Sequence, residues 1–389
     1  MRNSDSTRRR FLRVAAGAGA LGVAGCIGED VDPDEDDPLD DEDDEVAPDD
    51  DEDDEAEPDD DDDEPEDVEH EIRWGTSTGG TMDVGLAFEA AVGEHSDTVS
   101  YSTIESPGYI GTTYRLNEDE FDGGIIDTNT MFNAQQGMGD FEDEPVEKLP
   151  WQGFLAFPYA IYVMALEDTG IETFDDLAGA TVYPAEPGFS TRATTLDLWA
   201  MEPTADVYEE MEIVDMDVDD APGAMEEGAI DAAIAYGTPG VGNTGWVVEY
   251  DARVDVNYVE HTDALIESIE QFDGATLGEY DNAQEEFGWD QDIGTDEIVS
   301  WDLIITFAFH PETDHEAAYE LTRIAGEHYD TVSDAEARFT AEGPEDLLLG
   351  ALDDYPFHPG AAEYYEEEGV WDDDWVVGDQ DDIGGYFAD

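Results

Sequence analysis

Two short runs in this sequence carry residue types that hold a small anion without help from lysine. Thr78-Gly79-Gly80-Thr81 and Ser190-Thr191-Arg192 each place hydroxyls where an apolar-periodic segment begins. Glycine lets the backbone come close to a ligand, and a helix N-terminus presents unpaired N–H groups with partial positive charge. Serine and threonine are also preferred N-caps, so an ordinary capped turn is the competing reading of both runs. Arg192 adds a guanidinium able to clamp a carboxylate through two bonds; the alternative for it is a surface ion pair. Thr128 and Asn129 follow the apolar run Gly123–Asp127, and Thr238 follows Ala232–Tyr236. Ligands of open α/β sheets sit off the carboxyl ends of strands, so these three are expected liners of the same site. Trp151, Phe157 and Tyr159 are spaced to wall a cleft, but such aromatics are more often core.

Catalytic and metal signatures are missing from the pattern. There is no Gly-x-Ser-x-Gly elbow, Walker loop or GxGxxG. Asp127-Thr128-Asn129 superficially resembles the Asp-Thr-Gly of aspartic proteases, but no second copy exists. The seven histidines do not cluster along the chain, and Pro311 breaks any helical face between His310 and His315. Cys26 is the only cysteine, which excludes a disulfide framework, a cysteine-rich zinc site and a thiolate copper site. Paired carboxylates mean nothing here, because acid saturation produces them by chance. A non-enzyme without cofactor or resident metal is expected.

The elements that must position the two runs alternate between strand and helix. Strands are expected over Ile72–Thr76, Val99–Ile104, Gly123–Asp127, Ala160–Leu166, Ala232–Tyr236 and Ser300–Phe309. Helices are expected over Met82–Glu94, Ile110–Leu116, Asn129–Gly137, Thr191–Trp199, Ala221–Glu227 and His315–Tyr329. Phe174–Val182 reads as a short helix, a glycine stop and a new strand. The alternation argues for an α/β fold with a mostly parallel sheet.

The composition sets the surroundings. With 107 acidic residues against 12 basic ones, the formal charge is −95, and Lys148 is the single lysine. Such a surface repels nucleic acid, which excludes that class of partner. Self-repulsion destabilises the fold in dilute buffer, whereas at molar salt the Debye length falls to about 3 Å. Ile27 to about Glu69 is acid-rich and Pro-punctuated, too poor in apolar residues to bury a core, and reads as an extended tether. A calcium-binding tail is the alternative, but no spaced ligand pattern supports it. Thr7-Arg8-Arg9-Arg10-Phe11-Leu12-Arg13 resembles a twin-arginine export signal. The weakly apolar stretch after it is too short to span a bilayer. Val23-Ala24-Gly25-Cys26 resembles a lipobox, which implies lipidation of Cys26. Together these features resemble those of haloarchaeal exported lipoproteins.

Five segments between about 71 and 371 resemble the TAXI-type solute receptors of tripartite ATP-independent periplasmic (TRAP) transporters. They are Thr78–Thr81, Gly123–Gly137, Asp176–Val182 with Gly188-Phe189-Ser190-Thr191, Gly228–Ala233 with Gly237-Thr238-Pro239, and His358-Pro359-Gly360-Ala361…Tyr364-Tyr365…Glu367…Gly369. The last is the most specific. Met82-Asp83 and Phe189 depart from the family pattern beside the expected site. The resemblance implies a two-lobe periplasmic-binding-protein-like fold of type II, with the solute in a cleft closed about hinge strands. It divides the chain into a signal (1–25), a tether (26–70), lobe I (71–165 and 296–389) and lobe II (166–295). The implied function is a receptor at the extracellular face of the cell membrane, passing a small carboxylate or amino acid to integral TRAP subunits. Two alternatives stay open: a lipoprotein that serves a sensor kinase or scavenges solute without transport, and an enzyme on the same fold.

Overall fold

The computed structural model of the protein describes residues 68–388. The signal-like segment, Cys26 and nearly all of the acid-rich stretch lie outside the described residues. The strands are β1 (His70–Thr76), β2 (Val99–Glu105), β3 (Gly123–Asp127), β4 (Trp151–Leu166), β5 (Thr181–Tyr183), β6 (Glu212–Ile213), β7 (Ala232–Thr238), β8 (Gly242–Asn243), β9 (Val256–Tyr258), β10 (Thr276–Asp281), β11 (Glu297–Phe309), β12 (Pro356–Phe357) and β13 (Val376–Val377). They form one sheet along the path β2-β1-β3-β11-β4-β7-β5-β6. Helices α1 (Gly80–His95), α2 (Gly108–Asn117), α3 (Thr128–Gln136), α4 (Asp140–Asp143) and α5 (Ser190–Trp199) follow in the first half of the body.

The expected α/β fold of two lobes is present, with a difference in the sheet. The strand sets β2-β1-β3 and β6-β5-β7 each run parallel. The two long strands β4 and β11 run antiparallel to each other, β11 antiparallel to β3 and β4 antiparallel to β7, so the sheet is mixed rather than mostly parallel. The physical reason lies in their length. β11 pairs β3 through Ile305–Phe309 and β10 through Glu297–Asp302, so it serves both lobes. β4 likewise pairs β7 only from Ala160 onward. This sheet order, with two long strands crossing between lobes, is the type II arrangement.

The run Trp151–Tyr159 extends β4 beyond the expected Ala160–Leu166. Pro158 disguises it, since proline cannot donate to a ladder and is confined to edges and bulges. Here the β4–β11 register shifts just past the Pro158–Ile304 pair, between Ile305 and Thr306. Such bulges bend a strand and raise its twist. Fifteen of the sixteen β4 residues are buried, with Tyr159 the exception, which is the near-continuous apolar run of a strand covered on both faces. Across the strands Phe154 stacks on Phe307 at 4.5 Å between centroids, and Phe88 of α1 closes on Phe307 at 5.0 Å.

The His358 motif is a packing device. Gly360 meets the helix His315–Glu327 so closely that a Cβ would stand 2.3 Å from the His315 carbonyl oxygen. His358 caps the helix Pro359–Glu368, its Nδ1 accepting from the Gly360 N–H at 3.2 Å. The other nitrogen, Nε2, must therefore carry the proton and donate to the Thr313 carbonyl at 3.0 Å. Among the described residues no helix is long and apolar enough to cross a membrane.

Candidate functional site

α1 starts on Gly79, whose φ of 74° suits glycine, and no side chain caps its first turn. Thr78 and Gly79 are exposed, Gly80 is half-buried and Thr81 is buried. The Thr81 hydroxyl meets the Tyr109 hydroxyl at 2.9 Å. α5 starts the same way, on Phe189 and without a side-chain cap. Ser190 is half-buried, and Thr191 is buried with an unpartnered Oγ1. Both expected helix starts are thus present with their first N–H groups free of side-chain acceptors.

A line of tyrosines joins them. Burial raises the pKa of Tyr109, and the neighbouring Tyr159 hydroxyl adds to the shift. Tyr159 of β4 then meets Tyr236 of β7 edge-on, 5.3 Å between centroids. Burial also pushes Tyr159 and Tyr236 up, so all three stay protonated at neutral pH and are available as donors. The side chains of Trp246, Thr191 and Thr244 face the Tyr236 hydroxyl and oppose its upward shift. Yet Trp246 Nε1, Thr191 Oγ1 and Thr244 Oγ1 close no hydrogen bond of standard geometry. Thr238 lies two residues on from Tyr236, on the same face of β7, and its Oγ1 is unpartnered too. Leaving a buried polar group unpaired costs about 1–3 kcal/mol. Several such groups around one hydroxyl mark a place built for a further partner.

The remaining expected liners have other engagements. Thr128 donates to the Gly274 carbonyl at 3.2 Å. Asn129 donates through Nδ2 to Asp197 of α5 at 3.3 Å, and Asn133 does the same at 3.4 Å. These bonds tie α3 to α5, while Asn129 Oδ1 stays unpartnered. Asp127 caps α3, accepting from the Thr130 N–H at 2.8 Å, and burial pushes its carboxyl up to about 6. Arg192 turns away from the tyrosine line. Its Nη1 donates to the carbonyls of Ala185 at 2.9 Å and Val214 at 3.3 Å, and Nη2 pairs with Asp215. Ala185 has a φ of 83°, so the arginine braces a strained turn ahead of α5. Trp151 and Phe157 are fully buried core, and Tyr159 is the aromatic of that set that reaches the site.

Tyr109, Thr244, Trp246 and Arg338 are the members that reasoning from sequence missed. The one signal in the sequence that could have found Arg338 is the rarity of basic residues. Its guanidinium lies over the first turn of α1, where a Cβ on Gly80 would stand 2.8 Å from Nε.

The histidines are less scattered in space than along the chain. His95 and His328 stack at 3.8 Å between ring centroids, because α1 packs against the two helices, His315–Glu327 and Tyr329–Ala335, that His328 joins. His310 joins Asp119 and Glu312 in a group close enough to share a cation, but Lys148 already sits there, pairing with Asp119 and, at 2.7 Å, with Glu312. Two concavities lie elsewhere. One of about 10 Å³ beside Thr128 and Gln152 has room for about one water. Another of about 380 Å³ is lined by Glu316, Glu320, Glu363 and Glu367, which repel an anion.

The chain is similar in structure to the probable amino-acid ABC transporter extracellular-binding protein ytmK of Bacillus subtilis. The two are 12% identical with a TM-score of 0.41, covering 70% of this chain and 98% of that one. It is similar to the periplasmic aliphatic sulphonate binding protein SsuA of Escherichia coli, 15% identical with a TM-score of 0.39, covering 79% and 94%. A third is the ligand-binding component of an ABC-type import system of Staphylococcus aureus with zinc bound, 9% identical with a TM-score of 0.41, covering 80% and 97%. No curated protein matches the sequence. The sequence profile of the NMT1-like family matches residues 75–369, from the end of β1 to the glycine that closes the last helix; the chain belongs to the NMT1-like family.

Proposed function

We propose that this protein is an exported, lipid-anchored solute-binding receptor that holds a small carboxylate between its lobes and passes it to the membrane subunits of a TRAP-type transporter. The observation that carries the reading is the set of buried groups without a hydrogen bond of standard geometry, Thr191 Oγ1, Thr244 Oγ1 and Trp246 Nε1, facing the Tyr236 hydroxyl. Donors dominate this place. Three protonated tyrosines run from Thr81 in the first turn of α1 to Thr191 in the first turn of α5, in a molecule whose net charge is strongly negative. An anion binds only where local donors outweigh that field. No nucleophile stands beside a base in this set, which supports a binding role over catalysis. The resemblance to TAXI receptors supports the choice of transporter class.

The reading is tested by a thermal-shift screen of carboxylates and amino acids at molar salt. A bound carboxylate at free concentration c stabilises the fold by RT ln(1 + c/Kd), so the melting temperature climbs with the logarithm of its concentration above Kd. A screen in which no carboxylate shifts the melt rejects the site. The anchoring is tested separately by Cys26→Ser, which should release the protein into the medium or leave it unprocessed. A variant that is processed and membrane-bound like the wild type rejects lipidation at Cys26.

A further inference from the structure

We infer that Arg338 is the cationic partner of the bound anion and that Glu336 holds that arginine in the unliganded cleft. The inference rests on the reading of the cleft as an anion site. Arg338 lies just after the helix Tyr329–Ala335, in a segment without regular structure, and its side chain reaches back over α1. A side chain at Gly80 would have to push the Arg338 guanidinium aside, so the Thr-Gly-Gly-Thr turn seats that guanidinium as well as exposing its own N–H groups. Arg338 is also tied electrostatically to the tyrosine line. Its charge and that of Glu336 act in opposite directions on the Tyr159 hydroxyl. Across that line Thr191 Oγ1 and Trp246 Nε1 wait unpartnered, each residue more than nine-tenths buried.

The engagement of Arg338 is shallow compared with that of Arg192. Arg192 spends its guanidinium on two backbone carbonyls and an acid, so removing it breaks a turn. Arg338 gives only Nη1 to Glu336, at 2.8 Å, with Asp83 farther off at 3.7 Å. Glu336 does not depend on that bond alone, because the Arg338 backbone N–H also donates to the same Oε1 at 3.1 Å. An incoming carboxylate can therefore take over the guanidinium while Glu336 keeps its backbone partner. The exchange trades one charge-assisted bond for another and adds the free N–H groups of α1. Glu336 thus competes with the ligand and sets its affinity.

The test is isothermal titration of the full mature chain at molar potassium chloride with succinate, 2-oxoglutarate and L-glutamate. For the tightest of these, Arg338→Gln should weaken binding by about ten- to a hundredfold, the loss of a bond to a charged group. Arg338→Lys should recover part of it, since the charge returns without the planar fork. Glu336→Gln should tighten binding severalfold. The ligand-free melting temperature of each variant should match that of the wild type. Wild-type affinity in Arg338→Gln overturns the inference while leaving the anion site standing. A Glu336→Gln variant that binds as weakly as Arg338→Gln also overturns it, because Glu336 then supports the ligand rather than competing with it. If the wild type binds none of the three, the anion site itself fails and the inference fails with it.

Discussion

Thr81 and Arg192 look equivalent in the sequence, each in the first turn of a helix, and the structure separates their roles. The Thr81 hydroxyl faces Tyr109 at the head of the tyrosine line, whereas the Arg192 guanidinium braces Ala185 and Val214. Thr81→Ala should therefore weaken carboxylate binding by about tenfold or more while leaving the high-salt melt nearly unchanged. Arg192→Ala should do the reverse, lowering the melting temperature as the carbonyls of buried Ala185 and half-buried Val214 lose their donor, at a cost of about 1–3 kcal/mol. Parallel titration and melting curves check both. A melt of Arg192→Ala identical to the wild type would contradict the bracing role.

Among the elements, the His358-capped helix has a cap that must stay unprotonated to work. His358 is buried and must stay neutral to accept from Gly360, and burial pushes its pKa down to about 3. An unfolded histidine titrates near 6.5. Between those values the unfolded chain binds a proton that the folded one refuses, so stability falls as pH drops from about 6.5 towards 3. The slope from this one group approaches ~1.4 kcal/mol per pH unit inside the window. Asp127 and Asp302, both pushed up by burial to about 6, act with the opposite sign below that pH. The comparison is therefore between proteins. Denaturation of His358→Gln at molar salt should fall less steeply with acidification than the wild type, by about 1 kcal/mol per unit. Equal slopes would show that His358 is protonated in the folded state.

For the molecule as a whole, charge decides the conditions under which the fold exists. A formal charge of −95 repels itself in dilute buffer, and molar salt screens it. Circular dichroism should show a folded body in molar potassium or sodium chloride and loss of structure on dilution of the salt. A melting temperature independent of salt would contradict this. Deleting residues 27–69 should change the curve little, since that stretch has almost no apolar surface to pack.

The sequence by itself determined the local layer: the strand–helix alternation, the two helix starts, and the absence of a catalytic signature. Periodicity and turn residues act within about a dozen positions, so they are readable in one dimension. It also carried the resemblance to a two-lobe binding fold, whose most specific motif proved to be a close helix contact through Gly360. The tertiary structure alone decided which residues meet. Long-range pairing brought Tyr109, Tyr159, Tyr236 and Trp246 from four separate elements to one place. It turned Arg192 inward and laid Arg338 over a turn more than 250 residues earlier. The β4–β11 pair was hidden for the same reason: Pro158 argues against a strand locally, and only the long-range pairing with β11, irregular at a bulge on β4 itself near Ala156, carries it.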